Sequence, residues 1–326
     1  MKVPAAVGIA RILKAEGVSW VSTFPIAVVN NALGAEGVPV LMMRDERFAV
    51  AVADAYSRIN GGKRIGVCSF GGGVNAAGLQ FAYGAVAQAF EESSPVLCLA
   101  DSVPLAAAGN THYDQNLGFH AITKWIGNIY LPSQVPEVMR RAFTLLRTGR
   151  PGPVMVTLPR GIGEYDDAEF PYEPVKGWRS GPDPDDVRAA VKALLAAKKP
   201  MLYVGEGIFY GDATAELLQF AELAQVPVLT TLKGKSAFPE NHPLSIGVRG
   251  EPASYYLANS DLVFAIGTSL SPGRFSHAIP NPNAKTIIQC TVDELDINKK
   301  YLIKHAIVGH AKFTLQALIE ELSRQT

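Results

Sequence analysis

Short, nearly continuous apolar segments alternate with longer amphipathic segments along the whole chain of 326 residues. A short strand that is apolar at almost every position is buried on both faces, which is typical of parallel sheets covered by helices. The sequence therefore predicts an α/β fold with two doubly wound domains and mainly parallel sheets. The segments predicted to form strands are VSWVSTF, VPVLMM, RIGVCSF, SPVLCLA and GPVMVTLP in the first half of the chain, and PMLYVG, VPVLTT, DLVFAIG and KTIIQCTV in the second half.

The alternating pattern breaks once, at residues 170–186 (FPYEPVKGWRSGPDPDD), where proline, glycine and charge replace the hydrophobic periodicity. The segment that follows, DDVRAAVKALLAAKK, begins with acidic residues and ends with lysines, as the helix dipole favours. A chain of this length accommodates about two domains of ~150 residues each. We therefore predict a first domain at 1–172, a linker at 173–182 and a second domain at 183–326.

Composition argues against several classes of protein. Lysine plus arginine equals aspartate plus glutamate, 30 against 30, whereas nucleic acids and anionic membranes attract clustered positive charge. The three cysteines show no CxxC spacing, which argues against a disulfide framework and against a structural zinc site. No apolar stretch is long enough to cross a bilayer, and the N-terminal segment has the pattern of a first helix, not of a signal peptide. We expect a cytoplasmic protein with no nucleic-acid or membrane partner.

A helix is predicted over residues 46–59, directly after the strand VPVLMM. Apolar residues recur in it at helical spacing and are predicted to form a stripe that faces a core. The members of this stripe are Phe48, Val52, Ala55 and Ile59. Glu46 lies in the first turn, where an acidic side chain stabilises a helix by about 0.3–1 kcal/mol. From the residues alone, Glu46 is either a solvated charge at a helix start or a carboxyl group held for proton transfer.

Two glycine-rich loops follow predicted strands. Residues 70–78 (FGGGVNAAG) formally fit the dinucleotide fingerprint, in which glycines let the backbone approach a pyrophosphate, and Asp101 would then be the ribose-binding acid. Residues 205–211 (GEGIFYG) also suit a phosphate or nucleotide. Both loops are equally consistent with tight strand-to-helix turns. One interpretation is therefore a nicotinamide- or flavin-dependent oxidoreductase, whereas no GxSxG, HExxH or P-loop motif supports a hydrolase, a zincin or a P-loop enzyme.

The order of motifs resembles that of the acetolactate synthase/pyruvate decarboxylase superfamily of thiamine-diphosphate-dependent enzymes, over nearly the whole chain. The acid pair Asp45-Glu46, the alanine-rich helix AVADAYSRINGGK, and then IGVCSFGGG, QAFEESSPVL and GRPGPVMVTLP follow the order of the family's pyrimidine-binding domain. The segments at 227–250 (PVLTTLKGKSAFPENHPLSIGVRG) and 259–270 (NSDLVFAIGTSL) are similar to its central domain.

The resemblance implies that Glu46 is the family's catalytic glutamate, which hydrogen-bonds N1′ of the cofactor's pyrimidine ring and so promotes loss of the thiazolium C2 proton. It also implies a set of residues that bind thiamine diphosphate, namely Pro25, Gly71, Gly72, Gly73, Asn75 and Gln80. The glycine loop departs from the family's Gly-Pro-Gly-x-x-Asn pattern, so Asn75 and Gln80 are alternatives for the family's asparagine. The candidate substrate-binding residues are His112 and Gln115, because their segment replaces the Phe-Gln-Glu of the synthases.

The sequence contains no Gly-Asp-Gly, which marks the family's domain for binding the diphosphate through magnesium. The resemblance therefore implies a split enzyme, in which a partner subunit carries the Gly-Asp-Gly and Asn-Asn motifs and an α2β2 assembly places the active site between subunits. We expect no metal ligand on this chain, and the resemblance allows FAD or ADP in the central domain.

Decarboxylation or carboligation of a 2-oxo acid or an acyloin-like substrate is the predicted chemistry. A 2-hydroxyacyl-CoA lyase, the oxidoreductase and a non-catalytic nucleotide-binding subunit remain as alternatives.

Overall fold

The computed structural model describes residues 2–72, 77–104, 107, 114–271 and 277–325. The chain divides into two compact units, Met1–Trp178 (unit 1) and Arg179–Thr326 (unit 2). The division falls inside the segment predicted to be a linker. Each unit contains a six-stranded sheet.

The sheet of unit 1 is parallel throughout its described strands. The strands of unit 1 are β1 (Lys2–Pro4), β2 (Val21–Thr23), β3 (Val40–Met42), β4 (Gly66–Phe70), β5 (Val96–Ser102), β6 (Trp125–Asn128), β7 (Val154–Pro159) and β8 (Glu164–Asp166). Six of them lie in the order β3-β2-β4-β5-β7-β6 with every neighbouring pair parallel, and β1 pairs with β8 in a separate antiparallel ladder. The central strands β4, β5 and β7 are buried at every position, which explains their nearly continuous apolar sequences.

Helices cover both faces of this sheet. They are α1 (Ala5–Ala15), α2 (Asn30–Ala35), α3 (Glu46–Ile59), α4 (Ala77–Glu91), α5 (Gln115–His120) and α6 (Val135–Arg147). Side chains of α1, α2 and α6 form one apolar cluster with the sheet, and side chains of α3, α4 and α5 form a second. Strand β5 contributes Leu97 and Leu99 to the first cluster and Cys98 to the second, so its alternate residues lie on opposite faces.

Unit 2 repeats this architecture with its own sheet. Its strands are β9 (Pro200–Val204), β10 (Val228–Thr230), β11 (Ser245–Gly247), β12 (Leu262–Ile266), β13 (Thr286–Thr291) and β14 (His305–Val308), and its helices are α7 (Pro184–Ala196), α8 (Gly207–Tyr210), α9 (Thr214–Ala224), α10 (Glu251–Asn259) and α11 (Ala311–Gln325). The strand order is β11-β10-β9-β12-β13-β14, again with parallel neighbours. Side chains of α7, α9 and α11 form an apolar cluster with the sheet, and side chains of α10 contribute to a separate one.

The prediction of an α/β fold with doubly wound, mainly parallel sheets is confirmed. The predicted segments do not include β1, β6, β8, β11 and β14. Each of these strands has only three or four residues and does not belong to a longer apolar run that would stand out from its surroundings.

Helix α3 buries a different face from the one predicted. Phe48 is 51% exposed and Ile59 is 85% exposed, whereas Val50 and Ala53 are completely buried. The prediction that the apolar stripe faces a core is therefore wrong. The reason is the close approach of α3 to β4, where a Cβ atom at Gly66 would overlap the carbonyl oxygen of Ala53. A helix this close to a strand has room only for small side chains on its inner face.

Candidate active site

The carboxyl ends of four parallel strands bring several predicted site residues to one edge of unit 1. Glu46 follows β3, the loop of residues 24–29 (the 24–29 loop) follows β2, Gly71 and Gly72 follow β4, and Asp101 lies near the end of β5. The strand order β3-β2-β4-β5 makes these strand ends neighbours. Ligands of open parallel sheets bind at this edge.

Glu46 is the first residue of α3 and is buried, with only 5% of its surface exposed. Asp45 provides the N-cap, because its side chain accepts a hydrogen bond from the Phe48 N–H (2.9 Å between N and Oδ1). Among the described residues, none donates a hydrogen bond to the Glu46 carboxyl group or pairs with it. With 5% of its surface exposed, Glu46 is not a freely solvated charge. A carboxyl group that is largely removed from water and has no protein partner is costly unless a ligand uses it.

Gly78, in the first turn of α4, is the residue against which the Glu46 carboxyl group lies. A Cβ atom at Gly78 would lie 2.5 Å from Oε1 of Glu46 and would overlap the carbonyl oxygen of Gly71. Only glycine allows the helix to approach both groups so closely. The sequence analysis did not single out Gly78, although a glycine inside an alanine-rich helix carries a propensity cost that calls for a local reason.

Gly71, Gly72 and the 24–29 loop extend this recess along the sheet edge. A Cβ atom at Gly71 would lie 2.5 Å from Cδ1 of Ile26, and one at Gly72 would overlap the carbonyl oxygen of Asp101. Pro25 is exposed in the same loop, directly before Ile26. Contacts therefore run without a break from Glu46 through Gly78 and Gly71 to the loop that carries Pro25.

The described residues Gln80 and Gln115 are not among the residues that form these contacts. Gly73, Asn75 and His112 lie outside the described residues. Gln80 lies on the exposed face of α4, about 200° around the helix from Gly78. Gln115 is partly buried at the start of α5, whose N-cap is Asp114.

Asp101 contacts protein groups and not an open nucleotide site. Its Oδ1 accepts a hydrogen bond from the Val28 N–H (2.8 Å), and its Oδ2 lies 3.5 Å from a guanidinium nitrogen of Arg160. Burial raises the pKa of Asp101 to about 6, and the Val28 and Arg160 contacts only partly oppose this rise. These contacts disfavour Asp101 as the ribose-binding acid of an oxidoreductase.

The glycine cluster of unit 2 has a packing explanation. A Cβ atom at Gly205 would overlap the carbonyl oxygen of Gly267, and one at Gly207 would lie 2.7 Å from the Cα of Gly267. The loops after β9 and β12 therefore touch through their backbones. The interpretation of residues 205–211 as a tight strand-to-helix turn accounts for these glycines, and α8 in this segment has only four residues.

The structure also describes the cysteines, the potential metal ligands and the potential membrane spans. Cys68, Cys98 and Cys290 are all buried thiols. In the described part of the chain, no three His, Cys, Asp or Glu side chains come together in an arrangement that could hold a metal ion. None of the described helices combines the length and apolar character needed to span a bilayer.

Two family models match the chain. The model of the thiamine pyrophosphate enzyme N-terminal TPP binding domain matches residues 4–122, and the model of the thiamine pyrophosphate enzyme central domain matches residues 187–318. Together they cover most of the chain and agree with its two units. The chain belongs to the thiamine-diphosphate-dependent enzyme superfamily, as the resemblance predicted.

Relatives and a solved structure agree with this assignment. The chain is 34% identical to the "Probable acetolactate synthase large subunit" of Methanococcus aeolicus over 96% of this chain and 54% of that protein. It is 30% identical to the "Glyoxylate carboligase" of Escherichia coli O157:H7 over 95% of this chain and 54% of that protein. The chain thus spans about half the length of these curated relatives. A solved structure from Mycobacterium smegmatis, described as a thiamin diphosphate-dependent enzyme, has the same fold with a TM-score of 0.83 at 20% identity, over 99% of this chain and 63% of that one.

Proposed function

We propose that this chain binds the aminopyrimidine ring of thiamine diphosphate through Glu46, as one component of a lyase or carboligase. The observation that carries the proposal is the buried Glu46 carboxyl group, which lies against Gly78 and has no partner among the described residues. A flat aromatic ring requires a narrow recess, and the backbone at Gly71 and Gly78 supplies surfaces without side chains. The names of the relatives, acetolactate synthase and glyoxylate carboligase, support C–C bond chemistry on 2-oxo acids or acyloin-like substrates.

Glu46 would act by sharing a proton with a ring nitrogen of the pyrimidine. When bound, thiamine diphosphate supplies a nucleophilic thiazolium carbon and a ring that accepts the electrons of the bond being broken. A carboxyl group in a dry recess forms a stronger hydrogen bond to a ring nitrogen than a solvated one does, because water does not compete. Glu46 is also the first residue of α3, so its carboxyl group lies in the positive potential of the helix N-terminus.

We also propose that a partner subunit covers the outer face of α3, defined by Phe48, Val52, Ala55 and Ile59. These apolar side chains begin two residues after Glu46 and face away from the core of unit 1. Exposed apolar patches of this kind mark protein interfaces more often than solvated surface. The edge strand β3 adds the exposed side chains of Leu41 and Met42.

The occupant that we propose for this face is the domain that binds the diphosphate and magnesium, on a second chain in an α2β2 assembly. The 326 residues contain no Gly-Asp-Gly, so those groups need a site outside them. A domain seated on α3 would close the recess of Glu46 against water. FAD or ADP in unit 2 and a cytoplasmic location stay predictions, and titration of the purified chain with FAD and with ADP tests the first.

Reconstitution tests the proposed function. The chain is purified with its co-purifying partner from the native source, and turnover of 2-oxo acids is measured with added thiamine diphosphate and magnesium. Glu46→Gln should lower turnover at least 100-fold, since general acid–base groups contribute about 10²–10⁴. Glu137→Gln is the matched control, because Glu137 is also a first-turn helix glutamate but is exposed. Unchanged turnover in Glu46→Gln would contradict the proposal and favour a non-catalytic subunit.

A further inference from the structure

The 24–29 loop is held by contacts at its start, its middle and its end. At the start, the side-chain amide of Asn30 donates a hydrogen bond to the Phe24 carbonyl oxygen (2.8 Å). In the middle, the Arg160 guanidinium donates to the Ile26 carbonyl oxygen (3.0 Å). Near the end, the Val28 N–H donates to the Asp101 carboxylate (2.8 Å). Two of these three contacts therefore come from side chains far away in the sequence.

Asp101 and Arg160 form one unit, because they contact each other as well as the loop. Oδ2 of Asp101 lies 3.5 Å from Nη2 of Arg160. The Asp101 side chain is only 7% exposed, whereas Arg160 is largely exposed. The buried carboxylate thus contacts an exposed cationic side chain, and the loop backbone is hydrogen-bonded to both partners.

The 24–29 loop is connected to the Glu46 recess by packed atoms. The Ile26 side chain lies over Gly71, so closely that a Cβ atom there would be 2.5 Å from Cδ1 of Ile26. The carbonyl group of Gly71 lies against Gly78, which in turn contacts Glu46. A shift of the loop would therefore move the backbone wall beside the Glu46 carboxyl group.

Burial of the Asp101 carboxylate costs folding free energy. Asp101 lines a small cavity whose other walls are mainly the apolar side chains of Ile9, Val29, Leu99, Val156 and Leu158. Among the described residues, Arg160 is the one charged group found to act on it. A buried charge with one exposed partner is poor evidence of a stabilising role, because desolvation offsets the attraction. A contribution to stability therefore does not explain why the Asp101–Arg160 pair is present.

We propose that Asp101 and Arg160 are positioning residues, which hold the 24–29 loop so that Pro25, Gly71 and Glu46 keep the spacing that the cofactor's pyrimidine ring requires. This inference rests on the proposed function of Glu46. The ionised carboxylate is the form that binds the guanidinium, so protonation of Asp101 weakens the attachment and loosens the loop.

Hydrogen exchange of the full chain, read by mass spectrometry on peptides covering residues 24–30, tests the attachment without cofactor. Asp101→Asn and Arg160→Gln should each speed exchange of the loop roughly tenfold at pH 7.5, as expected for a lost charge-assisted hydrogen bond. The wild type should show the same change between pH 7.5 and pH 5, after correction for the intrinsic rates. Arg11→Gln is the control, because it removes ion pairs to Glu36 and Asp167 elsewhere in unit 1. Unchanged loop exchange in both variants overturns the proposal.

Cofactor affinity in the reconstituted complex separates positioning from a structural role. Asp101→Asn should raise the Kd for thiamine diphosphate, at saturating magnesium, about tenfold, with no loss of thermal stability at pH 7.5. Arg160→Lys should restore part of the affinity that Arg160→Gln loses. An unchanged Kd, or a loss of affinity that only follows a lower melting temperature, overturns the positioning role. Loss of turnover in Glu46→Gln in the same preparation shows that such a failure belongs to this inference and not to the proposed function.

Discussion

Replacement of Gly78 by alanine is the most direct test of the recess. The new Cβ atom would lie 2.5 Å from Oε1 of Glu46 and would overlap the carbonyl oxygen of Gly71. The Glu46 side chain can rotate away, but the Gly71 oxygen belongs to the backbone. The substitution therefore has to move either α4 or the loop after β4.

The expected cost follows from this overlap. Inserting one extra carbon into a tightly packed site costs about 1–3 kcal/mol. The gain in helix propensity on going from glycine to alanine is at most about 1 kcal/mol, and it is smaller at Gly78, because this residue lies in the first turn of α4. We expect unit 1 to lose about 2 kcal/mol. For a unit of this size, that loss lowers the melting temperature by roughly 4–8 °C.

Tryptophan fluorescence measures this loss in the right unit, because Trp20, Trp125 and Trp178 all lie in unit 1 and the chain has three tryptophans. Thermal unfolding of the full chain is followed at the tryptophan emission for the wild type, Gly78→Ala and Gly84→Ala. Gly84 lies in the same helix, and a Cβ atom there would meet nothing within 4 Å. Gly84→Ala should therefore stabilise unit 1 by about 0.5–1 kcal/mol.

Opposite signs for the two alanine variants are the essential result. If Gly78→Ala raises the melting temperature as Gly84→Ala does, the close contact of Gly78 with Gly71 and Glu46 does not exist. The description of the recess would then be refuted. A second measurement follows the site: Gly78→Ala should weaken thiamine diphosphate binding in the reconstituted complex, because the Glu46 carboxyl group is displaced.

Three further predictions concern other parts of the chain. Val50→Ala should lower the free energy of unfolding of unit 1, measured in urea, by about 2 kcal/mol, whereas Ile59→Ser should change it by less than about 0.5 kcal/mol. A larger effect of Ile59→Ser would show that the apolar stripe does face the core. The pKa of Asp101 is raised from 3.8 to about 6, so the stability that its protonated form supplies is present below pH 3.8 and is lost as the pH rises to 6. Relative to Asp101→Asn, the free energy of unfolding of the wild type should fall by about 3 kcal/mol over that interval. Parallel pH profiles of the two proteins would contradict this. Burial, with Arg179 and Lys312 nearby, lowers the pKa of His310 to about 4. The neutral imidazole therefore stabilises unit 2 above pH 6.5, and this contribution falls between pH 6.5 and pH 4. In His310→Gln, the melting temperature measured by far-UV circular dichroism should depend less on pH over this interval, and a pH profile identical to that of the wild type would contradict the prediction.

The sequence was sufficient for the architecture because strand burial leaves a local signature. Central strands such as β4 and β12 are apolar at nearly every position, and helix α7 begins with the acidic residues that its sequence indicated. The lysines predicted at its C-terminus lie beyond its end at Ala196. The short strands β6 and β11 were missed because their segments, WIGN and SIG, contain too few apolar residues to form a recognisable run.

The site was predictable only in part. Glu46 and Gly71 follow strand ends, so topology alone brings them to one edge. The contact between Glu46 and Gly78 and the attachment of the 24–29 loop to Arg160 join residues that no motif relates. These contacts depend on how closely α4 packs against the loop after β4 and on where β7 ends. Neither feature can be read from the local amino-acid composition.

The amino-acid sequence by itself determined that this chain forms two parallel α/β sheets and belongs to a family in which an acid follows the third strand. Hydrophobic periodicity is a property of neighbouring residues, and it is strong enough to set each strand and helix. Only the tertiary structure decided that α3 turns its large apolar side chains outward and its small ones inward, and that Glu46 is buried against a glycine. The physical reason is that close packing fixes which face of a helix fits, whereas hydrophobicity states only that some face must be buried.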